Sequence, residues 1–236
     1  MSDHTSRQFD QELESVRARV LEMGGMVEQQ IRNAIDGLAR ADREILLNVM
    51  NTDHRVNTLE VQVDEECQHI IARRQPAAVD MRMVFTVIKT ITDLERIGDE
   101  AVKIARMANN LLDANRIQVP RFNEIKHAAE VAIDMLTKAL DSFARLDAVL
   151  AASVVKEDIQ LDAEYQSVVR QLITYMMEDP RTISSSLETI TIIKSIERIG
   201  DHAKNMSEYV VFMVKGKDIR HLSIADVERA ALGEDS

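Results

Sequence analysis

The chain has 236 residues with only 7 Gly and 3 Pro, too little turn chemistry for the corners of a β-sandwich, barrel or α/β fold. It has 12 Met, no Trp and 3% aromatic residues among 45% hydrophobic ones, so an all-α protein with an aliphatic core is expected. Lys+Arg 29 against Asp+Glu 40 gives a net charge of −11, which offers no general attraction to nucleic acid or anionic lipid and favours cationic or metallic partners.

The polar, acidic start MSDHTSRQFDQELE has no secretory core, and the longest apolar stretches, such as Tyr209 to Val214, fall short of a membrane span. A soluble, cytoplasmic protein without direct membrane insertion is expected. The single cysteine, Cys67, excludes an internal disulfide, and its place in an apolar seam marks it as a small core residue.

Helical periodicity runs from about Phe9, interrupted at Pro76, Pro120 and Pro180. The predicted first helix covers about 8–41, with Gly24, Gly25 and Gly37 as points of weakness. The second covers about 43–73, with Val49, Val56, Leu59, Val63, Cys67 and Ile70 along its seam. The third covers about 80–113. After the break AlaAsnArgIleGlnValPro, ending at Pro120, three more follow at about 122–145, 147–177 and 184–215. Residues 217–236 form a tail, otherwise mobile, with one short helix capped by Ser223.

GluArgIleGlyAsp stands at 95–99 and again at 197–201, with Ala101 and Ala203 in matching places. Asp53-Xaa-Xaa-Val56-Asn57 resembles Asp158-Xaa-Xaa-Leu161-Asp162 at an offset of 105. Internal duplication follows. The expected architecture is two tandem, pseudo-symmetric three-helix bundles, six antiparallel helices in all, over residues 1–116 and 117–216.

At about 100° per residue, Glu95 falls inside the apolar arc of its helix and Asp99 one turn on at its edge, while Arg96 points away. Glu197 and Asp201 repeat the arrangement. Like charges at i and i+4 repel, and burial raises that cost, so a neighbouring Arg or Lys, a proton or a bound cation must compensate. Asp53, Asn57 and Glu60 form a second oxygen-rich strip, and Asp158 with Asp162 forms its counterpart. If the strips face the repeated segments, each half gathers oxygen ligands suited to a hard ion: Fe, Mn, Mg or Ca. Salt bridges, for example from Arg96 or Arg82 to Glu95, are the alternative. Gly98 and Gly200 are read as points of close backbone approach.

Glu66 with His69 and Glu124 with His127 match the Glu-Xaa-Xaa-His spacing of di-iron bundles, but both histidines fall off the apolar faces. His202 and its counterpart Glu100 are placed on the outer surface. With no phosphate loop, nucleophile elbow or paired Cys and His, no enzymatic activity is expected.

The chain resembles the PhoU family of phosphate-uptake regulators through GlnProAlaAlaValAspMetArg at 75–82, AspLeuGluArgIleGlyAspGluAla at 93–101 and IleGluArgIleGlyAspHisAlaLysAsnMet at 196–206. The resemblance implies paired three-helix bundles with multinuclear metal sites, carried here by Glu95, Asp99, Glu197, Asp201, Asp53, Asn57, Glu60, Asp158 and Asp162. It also implies a homodimer that represses phosphate-starvation signalling by linking the ATPase subunit of a phosphate ABC transporter to a sensor histidine kinase. Tyr165 replaces Glu60 in the second half, and the element at 80–82 has no match after Pro180. A helical-bundle di-metal oxidase or hydrolase, and a metal-free dimerisation module, are the competing readings.

Overall fold

The computed structural model describes residues 2–113 and 122–234. Pro120 and the expected boundary between residues 116 and 117 lie outside them. The described residues form helices joined by short turns, without strands: α1 (Ser2–Arg40), α2 (Arg43–Thr52), α3 (His54–Arg74), α4 (Ala78–Asp113), α5 (Phe122–Arg145), α6 (Ala148–Glu178), α7 (Ile183–Lys215) and α8 (Ile224–Leu232). A single 3-10 turn, Pro180–Thr182, leads into α7.

The first helix is continuous through Gly24, Gly25 and Gly37, because the packing of Val20, Met23, Val27 and Ile31 outweighs the local cost of glycine. The expected second helix is instead divided at Asp53, which ends α2 and begins α3. Asp53 keeps right-handed helical dihedrals, so the seam Val49, Val56, Leu59, Val63 and Cys67 remains buried across the break. Burial pushes the Cys67 thiol up to about 12, with Asp64 and Glu66 adding to it, which leaves the sulfur an inert core group.

The duplication is built into the turns. Ala41 and Leu146 both adopt left-handed backbone, φ 54° and 55°, and the following Asp42 and Asp147 amides donate to Gly37 and Ser142 carbonyls, each at 2.9 Å. Each aspartate then caps the next helix: Asp42 accepts from Glu44 and Ile45 amides, Asp147 from Val149 and Leu150 amides. The same chain reversal is made twice, 105 residues apart.

α1, the α2–α3 pair and α4 pack together, as do α5, α6 and α7. The two groups meet through α4 against α7 and α1 against α5. Asp93 reaches His202, Thr86 donates to the Tyr209 carbonyl, and Arg82 donates to the Met213 carbonyl, so α4 and α7 run antiparallel and cross at the repeated segments. α8 packs on α6 and α7, and Ile219, Val227, Ala230 and Ala231 are buried. The chain after Gly216 is therefore attached to the second bundle, where a loose tail was expected. No helix among the described residues is long and apolar enough to cross a membrane.

Candidate metal centres

The α2–α3 junction faces α4, and α6 faces α7, so each oxygen-rich strip meets its repeated segment. In the first half Asp53, Glu60 and Glu95 are half-buried, while Asn57 and Asp99 lie at the exposed rim. Desolvation pushes the Glu95 carboxyl above its ordinary range, and the charges of Asp99, Glu60 and Asp53 push the same way against a smaller opposing pull from Arg96. Asp53 is raised by desolvation and by Asp99, opposed by hydrogen bonds from Gln30 and Asn57. Glu60 is raised by desolvation, Asp64 and Asp99. The acids thus share one field, as the helical spacing requires.

In the second half Asp158 and Glu197 are buried and Asp162 and Asp201 half-buried. One oxygen from each of Asp158, Asp162 and Asp201 lies within 4.8 Å of the others. Asp201 and Asp162 are raised first by desolvation, then by their carboxylate neighbours. Lys204 Nζ sits 2.6 Å from Asp158 Oδ2, and Lys194 Nζ lies 2.5 and 2.6 Å from the two Glu197 oxygens. Tyr165, in the place of Glu60, offers its ring face to Lys194 at 5.0 Å.

The nine sequence-derived residues are therefore gathered into two clusters, five in the first half and four in the second. Three further participants were not anticipated. Gln30, from α1, donates to Asp53 Oδ1 at 3.3 Å, and Lys194 and Lys204 bind the second cluster. Gly98 and Gly200 face side chains, where close backbone approach was expected. A Cβ on Gly98 would lie 3.3 Å from both Asp53 Oδ1 and Gln30 Oε1, and one on Gly200 would overlap Leu161 Cδ2.

Two surface assignments are corrected. His202 is buried with its Nδ1 2.7 Å from Asp93, and Glu100 is buried against Lys103 and Arg198. Both sit in the α4–α7 contact, because each of these helices is covered on a second face by the other bundle. His69 and His127 are exposed, away from both clusters, as their angles predict. Arg82 is committed to the Met213 carbonyl rather than to Glu95.

The family model for the PhoU domain matches residues 20–108 and again 125–210. The chain belongs to the PhoU family. It is 44% identical to the Escherichia coli K12 protein named phosphate-specific transport system accessory protein PhoU, over 100% of this chain and 97% of that one. A PhoU homolog from Pseudomonas putida is 46% identical over 99% of this chain and 93% of its own length. The crystal structure of PhoU from Pseudomonas aeruginosa superposes with a TM-score of 0.86 at 47% identity, covering 89% of this chain and all of that one.

The first donor set fits a hard cation: carboxylates with the amides of Asn57 and Gln30, no sulfur, and a buried Gln30 Oε1 with no hydrogen-bond donor; the second is carboxylates alone, with Asp158 and Glu197 already on lysines. In this PhoU-family chain the raised carboxyls make stability depend on pH in a definite sense. Asp53, Glu60, Glu95, Asp162 and Asp201 hold protons in the folded state at a pH where the unfolded chain has released them, so stability falls as pH rises through their folded values. In chelator, the melting temperature should therefore rise as pH is lowered from 7 towards the ordinary carboxylate range of about 4, and saturating Mn2+ should flatten that slope. Acids lowered by arginine, such as Asp218 beside Arg220 at about 2, work oppositely only below their ordinary range. A flat or falling melting temperature from pH 7 down to about 4.5 in chelator would contradict the expectation.

Proposed function

We propose that the chain is a cytoplasmic accessory protein of phosphate-specific transport, repressing phosphate-starvation signalling when phosphate is plentiful. It does so by linking the ATPase subunit of a phosphate ABC transporter to a sensor histidine kinase, as a homodimer, with hard-cation binding by its acidic side chains. The observation that carries this reading is the match of the PhoU domain to both halves of the chain, together with relatives of nearly the same length named as accessory proteins of the phosphate-specific transport system. Such a role is regulatory rather than enzymatic.

Physically, Asp53 and Glu60 stand on one helical pair and Glu95 and Asp99 on the next, so a cation between them replaces mutual repulsion with a shared ligand. Ion occupancy then sets how firmly α3 holds α4, and α4 is the helix that meets the second bundle. Cellular ion state is thereby coupled to how firmly the two bundles are held together.

Pull-down of the tagged protein from phosphate-replete and phosphate-starved cells tests the partner reading. Recovery of the transporter ATPase and the kinase, enriched in replete cells, is expected; recovery of neither overturns it. For the ions, metal content after purification without chelator should fall when Glu95→Gln, Asp99→Asn, Glu197→Gln and Asp201→Asn are combined. An unchanged content would remove the metal assignment.

A further inference from the structure

We infer that the two acidic clusters have taken different roles: the first, completed by the Gln30 amide carbonyl from α1, holds a cation, and the second is closed by the chain's own Lys194 and Lys204. The inference rests on the cation reading above and divides it between the halves.

The duplication supplies an internal control. Lys194 and Lys204 correspond, at the 102-residue offset of the repeated pentamers, to Thr92 and Val102. The second cluster thus sets two ammonium groups directly on its acids, at 2.5 to 2.6 Å, where the first has an alcohol and an alkyl side chain. The oxygens differ accordingly. Those of Asp158, Asp162 and Asp201 converge within 4.8 Å, and among the described residues no other trio of acids, histidine or cysteine does. Ammonium counter-charges permit that convergence; the first-half carboxylates, which among the described residues have no lysine bonded to them and only Arg96, Lys103, Arg106 and Arg198 around the pocket of Glu95 and Asp99, form no such trio.

Gln30 points the same way. It is 7% exposed, its Oε1 is buried without a donor, and that oxygen lies beside Asp53 Oδ1 over Gly98. The Nε2 of the same amide donates to Asp53 Oδ1 at 3.3 Å, so the orphan is Oε1 alone, a buried acceptor that a cation beside Asp53 would satisfy. At the 105-residue offset relating Val56 to Leu161, Gln30 corresponds to Met135, and Met135 with Leu161 is what surrounds Gly200. The place that holds an orphan oxygen in one half holds a methyl group in the other.

The test is Mn2+ titration of the chelator-treated full chain, followed by calorimetry and by the signal of free Mn2+ in electron paramagnetic resonance. Wild type should show a tight class lost in Glu95→Gln/Asp99→Asn and retained in Glu197→Gln/Asp201→Asn. Gln30→Met, which installs the residue used at the matched place, should weaken the tight class on the order of tenfold. Lys194→Met/Lys204→Met should add binding that the wild type lacks at the same Mn2+ concentration, with helicity by circular dichroism confirming that each variant folds. Retention of the tight class without Glu95 and Asp99, its loss without Glu197 and Asp201, unchanged affinity in Gln30→Met, or no added binding in the lysine variant would overturn the division. No Mn2+ binding by wild type would overturn the cation reading of both halves, a distinguishable failure that leaves the partner reading to its own pull-down.

Discussion

Phe143→Ala is expected to cost about 3–5 kcal/mol and to lower the melting temperature by roughly 10 °C in a chain of this length. Five phenylalanines and three tyrosines are all the aromatic residues the sequence has. Phe143, at 1% exposure, is the only phenylalanine fully buried. It lies in the last turns of α5, which touches α6 and α7 within its bundle and α1 across the bundle boundary. Removing the ring leaves a cavity bordered by regular helices, which cannot collapse into it without moving whole elements. Phe143→Leu, which keeps most of the volume, should recover more than half of the loss. Thermal unfolding monitored by circular dichroism measures both, and a drop of only a degree or two for the alanine variant would show that the site repacks.

The second large effect is expected at Gly200. A Cβ there would overlap Leu161 Cδ2, and Leu161 is itself fully buried at 1% exposure, so it has nowhere to turn. Gly200→Val should destabilise by about 3 kcal/mol, despite the better helix propensity of valine. Because Gly200 stands between Glu197 and Asp201, the displaced backbone should also disturb the second cluster. Gly25 is the control: it is exposed, with nothing within 4 Å of where its Cβ would be. Gly25→Ala should stabilise by up to about 1 kcal/mol. Chemical denaturation of both variants checks the pair, and equal effects would refute the steric argument.

The helices were legible because periodicity and the prolines act locally, and the seam of α3 could be read residue by residue. The break at Asp53 was not, since no glycine or proline marks it and its dihedrals stay helical. The acidic clusters were legible because the same pentamer recurs and its glutamate falls within an apolar arc. Glu100 and His202 were misplaced for a geometric reason: a helical wheel assigns one buried arc, whereas α4 and α7 are each covered by their own bundle and by the other. Gln30 carried a faint signal, a polar residue beside the buried Val27, Ile31 and Ala34. With Met135 as its counterpart it escapes any search for repeated residues. Lys194 and Lys204 escape the same search, because their partners in the first half are Thr92 and Val102.

The antiparallel crossing of α4 and α7 also has a consequence for evolution and for dilution. Two identical separate chains joined through such a contact would obey mass action and come apart as their concentration fell, and every substitution would strike both copies at once. Covalent continuity removes both constraints. The pairing of the halves persists at any dilution the whole protein survives, and each half can accept a change, as at positions 30 and 135, that its sister never has to tolerate.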